Sequence, residues 1–350
     1  MAEEGEVPAR VIEEQRDRFR VLRGGAEGQL VEEAAIASQG LSRAAASACE
    51  LPAVGDWVLL KTARGDIRTI RALLPRAGAF MRKAPGDALH DRIDAQVLAA
   101  NVDYAFIVCA AGRDWNPRRV ERYVALARSA RSEGVLVLAK ADLAEDPLAL
   151  LREAALAAPG IRTAMVCAPE LRGLAELDFA LVPGKTVVLL GSSGAGKSTL
   201  LNALAGADLA RTSEVREDDQ RGRHTTTHRQ LYRLDSGALV IDTPGMRELQ
   251  LWADEGAVDS AFPEIEALAE LCRFRDCGHE DEPGCAVLAA LEAGSLDRGR
   301  YSGWKKLAKE TAFLRAREEG TAKEAERRRW RSIEMSRRSF EKSGRGKNRD

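Results

Sequence analysis

Nothing in this chain of 350 residues is long and apolar enough to cross a bilayer, for it holds no run of about 18 apolar residues. Nor does it open on a secretion signal: MAEEGEVPAR is acidic where a signal peptide is basic and then greasy. These two absences predict a cytoplasmic protein without membrane contact. A net charge is also missing, since 53 Lys plus Arg stand against 54 Asp plus Glu. The balance is uneven, however: Tyr301 to Asp350 carry 16 basic and eight acidic side chains, which leaves the rest of the chain acidic. Cysteine is scarce, with six residues in all. Cys49, Cys109 and Cys167 are scattered and read as small buried hydrophobes. Cys272, Cys277 and Cys285 crowd beside His279, which in a reducing compartment points to metal rather than to disulfides.

The length suits two or three domains. The first eighty or so residues show short apolar alternations, RFRVL and DWVLL, broken by RGG, AEG, PAVGD and ARGD. Short strands with glycine-containing turns predict a small β-barrel, although the pattern alone does not separate a barrel from a sandwich. From Asp103 the texture changes to compact apolar runs: DYAFIVCA, GVLVLAKAD, RTAMVCA, KTVVLLG and ALVIDTPG. Continuous runs mark strands buried on both faces, hence a parallel sheet covered by helices, with the ligand at the strands' carboxyl ends. RRVERYVALARSAR and STLLNALAG supply helical spacing between them. Beyond about Leu251 the chain turns helical and polar around the Cys/His cluster.

GSSGAGKST, from Gly191 through Ser192, Ser193, Gly194, Ala195, Gly196, Lys197 and Ser198 to Thr199, fits the phosphate-binding loop G-x-x-x-x-G-K-[ST]. A strand, TVVLL, precedes it and a helix follows, as the motif requires. Its glycines let successive backbone N–H groups face an anion; Lys197 would neutralise the β and γ phosphates, and the Ser198 hydroxyl would ligate Mg²⁺. DTPG, Asp242 to Gly245, follows the strand ALVI, where Asp242 can hold the water shell of the magnesium and Gly245 can offer its N–H to the γ-phosphate.

A guanine-reading loop usually takes the form N-K-x-D. Here AKAD keeps Lys140 and Asp142 but puts Ala139 where asparagine is usual. A carboxylate accepts from guanine N1–H and the 2-amino group, and adenine offers neither donor on that edge. The lost neutral hydrogen bond is worth roughly 0.5–1.5 kcal/mol and the charge-assisted pair from Asp142 roughly 1.5–3 per bond, so guanine preference survives with weaker binding. Cys167 and Ala168, after the strand RTAMV, stand where GTPases place a Ser-Ala pair whose backbone contacts the base, or are ordinary strand-end packing.

The base-reading loop thus precedes the phosphate loop by about fifty residues, the reverse of the usual order. A parallel sheet tolerates this because its termini can be relocated at the surface, so the domain reads as circularly permuted. RGRHTTT lies between the P-loop and DTPG, as switch I should, and Thr225 or Thr226 can ligate Mg²⁺ there. The residue after DTPG is Met246, so the water-orienting glutamine of many GTPases is missing and intrinsic turnover should be slow. Cys272, Cys277, His279 and Cys285 form C-x4-C-x-H-x5-C, a closed set of three thiolates and one imidazole suited to one structural Zn²⁺.

Through PAVGDWV, AKAD, GSSGAGKSTLLNAL, RGRHTTT, DTPG and CRFRDCGHEDEPGC, over residues from about 18 to about 300, the chain resembles the ribosome small-subunit-dependent GTPases (RsgA, also called YjeQ). The resemblance implies an α/β, circularly permuted P-loop GTPase domain with an N-terminal OB-fold β-barrel and a C-terminal helical zinc-binding domain. It implies GTP hydrolysis during late maturation of the small ribosomal subunit, contact with that subunit and its rRNA, and a monomer. It also makes His224 a candidate to orient the attacking water; the alternative is an exposed loop histidine. The expected divisions are a disordered 1–17, an OB-fold over 18–88, the permuted GTPase domain over 89–252, the zinc domain over 253–310 and a basic helical or disordered tail over 311–350. In the tail, ERRRWRS places Trp330 among arginines, either an RNA contact or a solvated helix face; Arg82 and Lys83 are a second possible phosphate contact or ordinary surface. Two other functions compete: an RNA-binding assembly factor that uses GTP only as an ordering ligand, and a P-loop small-molecule kinase, for which no acceptor site is evident.

Overall fold

A computed structural model describes residues 6–15, 18–25, 28–45, 47–61, 67–83, 95–112, 114–210, 229–242 and 255–316. Strands β1 (Glu6–Gln15), β2 (Arg18–Gly24), β3 (Leu30–Ala37), β4 (Trp57–Lys61) and β5 (Ile67–Leu73) run in the order β1-β2-β3-β5-β4, and β1 pairs again with β4. The sheet therefore closes on itself, which leaves no free edge. Alternation along each strand fills the interior with Ala9, Val11, Phe19, Val21, Ala35, Val58, Leu60 and Ile70.

One expectation is corrected here. Residues 6–15 are the first barrel strand, not part of a disordered N-terminus. Charge hides this strand in the sequence: Glu13, Glu14 and Arg10 break the apolar pattern, yet Glu13 pairs with Arg20 at 2.9 Å and Arg10 is buried. A bulge between Val11 and Glu13 lets the strand serve two bodies. Val11 faces the barrel interior, whereas Ile12 joins the main core of the next domain.

The turn PAVGD explains its own residues. Arg76 donates to both oxygens of the fully buried Asp56, at 2.7 and 2.6 Å, and Asp56 also accepts from the Ala53 amide at 2.8 Å. Gly55 sits at φ +90°, and a Cβ there would stand 2.2 Å from the Ala100 carbonyl oxygen, so only glycine lets the turn press on the strand beyond. That strand, β7 (Ala95–Ala100), pairs with β6 (Ala79–Lys83) in a two-stranded sheet that is separate among the described residues. The guanidinium of Arg82 on β6 is half-buried and donates to the Gln96 side chain at 3.1 and 3.3 Å, so it is not a free surface cation.

The second domain is built as its continuous apolar runs predict. Strands β8 (Tyr104–Ala110), β9 (Glu133–Ala139), β10 (Arg162–Val166), β11 (Thr186–Leu190) and β13 (Leu239–Asp242) are parallel, in the order β10-β9-β8-β11-β13. Phe106, Val108, Val135 and Val187 pack on one side of the sheet; Ile107, Leu136, Leu138 and Val188 pack on the other. Strand β12 (Arg229–Arg233) adds an antiparallel edge and pairs with β1 at Glu13↔Gln230 and Glu14↔Arg229, joining this sheet to the barrel. Helices α2 (Pro117–Ser129), α3 (Pro147–Ala157) and α4 (Lys197–Ala205) follow β8, β9 and β11; a short α1 (Gln39–Ala44) precedes them in the barrel domain. Asn116 and Asp146 cap α2 and α3, each with proline at the first turn, where its missing N–H costs nothing.

Helices α5 (Glu255–Ser260), α6 (Pro263–Ala269) and α7 (Ala286–Glu292), followed by α8 over 298–316, form the C-terminal domain. The expected division between 310 and 311 falls inside α8, where Thr311 and Leu314 are buried, so the helix is one continuous element across it. Phe262, Ile265 and Val287 share a core with Val120, Tyr123 and Val124 of α2. Against that core Arg300 is buried: its Nη1 donates to Glu121 Oε1 at 3.1 Å, its Nε to Glu264 Oε1 at 2.6 Å, and its plane lies 4.3 Å over the Phe262 ring. A buried charge that loses its partner is expensive. Arg300→Ala is therefore expected to destabilise the docked C-terminal domain by about 3 kcal/mol, the lower end for a broken buried pair because Arg118 still holds Glu121. Urea denaturation checks this; a loss under about 1 kcal/mol, typical of a surface pair, would contradict the burial argument.

Candidate nucleotide site and metal centre

Four loops leave the carboxyl ends of adjacent parallel strands, and the register brings them together. The first of them, after β11, is the phosphate loop. Gly191 has φ +150°, and a Cβ there would meet the Val108 carbonyl oxygen at 2.3 Å, so the loop can cross the end of β8 only with glycine at this point. Ser193 and Gly194 are exposed at its crest, Ala195 is buried beneath, and Gly196 leads into α4. The Lys197 ammonium lies back over the loop, donating to the Gly191 and Ser192 carbonyls at 2.9 and 2.6 Å. Ser198 and Thr199 occupy the first turn of α4 and are half-buried. A loop of this form presents N–H groups, a helix N-terminus and a cation to one anion.

The second loop follows β9. Lys140 takes a left-handed conformation, φ 55°, and a 3₁₀ turn carries Asp142. Ala139 closes the strand, buried, and its methyl lies 3.4 Å from where a Cβ on Gly196 would be. The base-reading loop and the phosphate loop thus begin side by side, although they are distant in the chain. Ala139 has no polar side-chain atom with which to tie them. The third loop follows β10, whose pairing of Val166 with Ala139 sets Cys167 beside the Asp142 loop. The Cys167 thiol donates to Asp142 Oδ1 at 3.2 Å, and burial, followed by this bond, pushes its pKa up, so it stays a neutral donor. Cys167 is buried as expected, yet it is more than packing; the cysteine in this position was visible in the sequence, its bond to Asp142 was not. Ala168 is buried directly after it. Cys49, by contrast, is only half-buried, with its thiol donating to the Ala95 carbonyl at 3.1 Å.

The fourth loop, after β8, was missed in the sequence. Asp114 accepts from the Ser192 hydroxyl at 2.7 Å and from Arg119 at 2.7 Å, which fastens the phosphate loop to the start of α2. Burial, with the Asp114 charge, pushes the neighbouring Cys109 thiol up to about 12 and keeps it neutral. Asp242 ends β13 opposite Leu189, one strand away from the phosphate loop. His224, Thr225, Thr226 and Gly245, with Trp330 and its arginines, lie outside the described residues.

In the C-terminal domain, Cys272, Cys277, His279 and Cys285 come together with their ligand atoms all within 4.8 Å of one another. Cys272 Sγ and Cys285 Sγ each lie close to His279 Nδ1, at 3.5 and 3.4 Å, and to each other at 3.9 Å. A tetrahedron with metal–sulfur bonds of about 2.3 Å has edges of about 3.8 Å, so the four residues fit one Zn²⁺-sized ion. His279 is buried, held at φ 56°, and its carbonyl accepts from the Tyr301 hydroxyl at 2.5 Å. Burial lowers its pKa, which favours the neutral, ligating imidazole. The Glu282 carboxylate braces the loop between ligands, accepting from the amides of Gly278 and Glu280 at 2.7 and 2.9 Å.

A phosphate loop and a base-reading loop on one parallel sheet, met in reversed chain order, define a circularly permuted P-loop GTPase fold. A model of the RsgA GTPase family matches residues 73–252. A small ribosomal subunit biogenesis GTPase RsgA of Opitutus terrae is 44% identical over 351 residues, covering 97% of this chain and 93% of that protein. One of Xanthomonas campestris pv. campestris is 46% identical over 312 residues, covering 87% and 81%. The crystal structure of YjeQ from Thermotoga maritima superposes with a TM-score of 0.64 at 25% identity, over 88% of this chain and 99% of that one. YloQ, a circularly permuted GTPase, superposes at 0.63 with 24% identity, over 88% and 96%. The chain belongs to the RsgA GTPase family.

Two measurements check the site. Asp142→Asn is expected to weaken GTP binding roughly 10- to 150-fold, the value of one or more lost charge-assisted bonds, and to shift preference toward xanthine nucleotides. An unchanged guanine-over-xanthine preference in competition binding would contradict the loop's assignment. Metal analysis of purified protein should find one zinc per chain, and chelation should unfold the segment from 272 to 285; metal-free protein indifferent to chelator would remove that assignment.

Proposed function

We propose that this GTPase hydrolyses GTP during late maturation of the small ribosomal subunit, and that its GTP or GDP state controls binding to and release from that subunit. The observation that supports the reading is the closeness of Ala139 to Gly196, where an added Cβ would lie 3.4 Å from the alanine methyl, because it makes the Asp142 loop and the Lys197 loop neighbours. Asp142, steadied by Cys167, reads the guanine edge, with Lys140 and Ala168 beside the base. The backbone from Gly191 to Gly196 wraps the phosphates, with Ser192 to Ala195 forming its curve, and Lys197 exchanges loop carbonyls for phosphate oxygens. Ser198, Thr199 and Asp242 border the phosphate end. Thr225 or Thr226 would join Ser198 at Mg²⁺, which supplies charge neutralisation, and Gly245 would offer its N–H to the γ-phosphate. His224 orients the attacking water, a role that no glutamine after DTPG can fill. The Zn²⁺ held by Cys272, Cys277, His279 and Cys285 is structural, since the set leaves no open position.

Relatives named small ribosomal subunit biogenesis GTPases support the partner: the small subunit and its rRNA, met in the cytoplasm by a monomer. Among the described residues no helix is long and apolar enough to cross a membrane. Exposed Arg273, Phe274 and Arg275 between two zinc ligands, with the Arg273 guanidinium 5.4 Å over the Phe274 ring, offer RNA a cation and a stacking face. The second reading, GTP as an ordering ligand with negligible turnover, is favoured by Met246 after DTPG. Phosphate release measured alone and with mature and immature small subunits separates the two. Subunits should raise turnover at least about tenfold, a barrier lowered by about 1.4 kcal/mol, and His224→Ala should abolish the increase. Turnover that stays negligible with subunits favours the ordering role, and a His224→Ala variant as fast as wild type removes that residue's part.

A further inference from the structure

Helix α2 is bonded at one end to the phosphate loop and along one face to the C-terminal domain. At its start, Asp114 receives the Ser192 hydroxyl on Oδ2 and the Arg119 guanidinium on Oδ1, both at 2.7 Å. The Asn116 cap accepts from the Arg119 amide at 3.2 Å, so the anchor is part of the helix's first turn. Further along, Arg118, Glu121, Arg122 and Arg128 recur at three-, four- and seven-residue spacing, which puts them on one face. Arg122 forms a two-point ion pair with Glu310 of α8, at 2.7 and 2.9 Å. Glu121, 1% exposed, takes Arg118 and Arg300 on Oε1, while its Oε2 is buried without a hydrogen-bond partner among the described residues. Arg128 donates to the Ser260 carbonyl. The opposite face, with Val120, Tyr123, Val124 and Ala127, is locked into the main core.

We propose that Asp114 is a positioning residue of the nucleotide site and that α2 carries the state of the phosphate loop from it to the C-terminal domain. This rests on the reading that the site binds GTP and GDP. The differential contact is the Lys197 ammonium, which now holds the Gly191 and Ser192 carbonyls. A γ-phosphate would add an anionic partner that GDP lacks for that ammonium, and any shift of the carbonyls it now holds would act on Ser192, whose hydroxyl is fixed to Asp114. A helix of 13 residues spans roughly 20 Å and has no soft internal coordinate, so a displacement at its first turn reaches the Glu121 and Arg122 contacts. There the buried Glu121 oxygen makes the interface sensitive, because a small shift changes how much of its charge is satisfied. The path does not use the covalent connection by which the chain runs from DTPG into the C-terminal domain.

Hydrogen exchange of the full-length protein, with GDP and with a non-hydrolysable GTP analogue, tests the relay. In wild type the exchange of residues 298–316 should differ at least about fivefold between the two nucleotides, the lower end of allosteric coupling. Asp114→Ala should bring that ratio to one. Arg122→Glu and Glu310→Arg should each do the same without altering nucleotide affinity, and the double variant, which rebuilds the pair with reversed polarity, should restore the ratio. A purely structural role for these residues would raise exchange equally with both nucleotides and leave the ratio intact, which would overturn the proposal. So would a wild-type ratio of one in protein that binds and hydrolyses GTP, and that result would leave the GTPase reading standing. Failure to bind either nucleotide would sink both.

Discussion

The register of the parallel strands β10, β9, β8 and β11 decides where every loop begins. Val166 lies beside Ala139, Ala139 beside Ala110, and Leu190 beside Ile107. From those pairings it follows that Cys167 reaches Asp142, that Ala139 meets the phosphate loop, and that Asp114 reaches Ser192. A slip of one residue in any pair would send each side chain to the opposite layer and misplace these contacts together. The circular permutation leaves this register untouched because hydrogen bonding between neighbours does not depend on which strand the chain visits first.

What permutation changes is the wiring around the sheet. With the chain entering through β8 and leaving after β13, the barrel precedes the GTPase domain and the helical domain with the cysteine–histidine cluster follows it. Both are more than tethered. The barrel is joined through β1 and β12, and through Arg10, whose guanidinium donates to the Asn101 carbonyl at 3.0 Å and the Thr186 hydroxyl at 3.1 Å. Burial lowers that arginine to about 10, still far above neutral pH, so it remains a cation at the joint. The C-terminal domain is joined through the shared core and the ionic face of α2. Buried ion pairs carry a desolvation cost that only a well-paired set offsets, and removing one partner leaves a buried charge uncompensated.

Much of this was legible in the sequence, and the reasons are local. The strands β8, β9 and β11 show themselves because burial on both faces leaves no room for polar residues. The phosphate loop shows itself because a close backbone approach, as at Gly191, admits only glycine. The cysteine–histidine cluster declares itself by residue type and spacing. What stayed hidden depends on partners far along the chain. Strand β1 looks acidic and irregular because its charges find partners across the barrel and at the domain joint. Asp114 is unremarkable until α2 is capped and the phosphate loop arrives 78 residues later. Arg300 reads as one more surface cation, although Glu121, 179 residues before it, takes it into the interior.

The proposed function requires one nucleotide to span from Asp142, after β9, to Lys197 at the start of α4. A crystal structure with a non-hydrolysable GTP analogue tests it most directly. The guanine edge is expected against the Asp142 carboxylate, with the β and γ phosphates of the same bound molecule against the Lys197 ammonium. Phosphates in the loop with the base turned away from Asp142, or the two residues facing separate cavities, would contradict it.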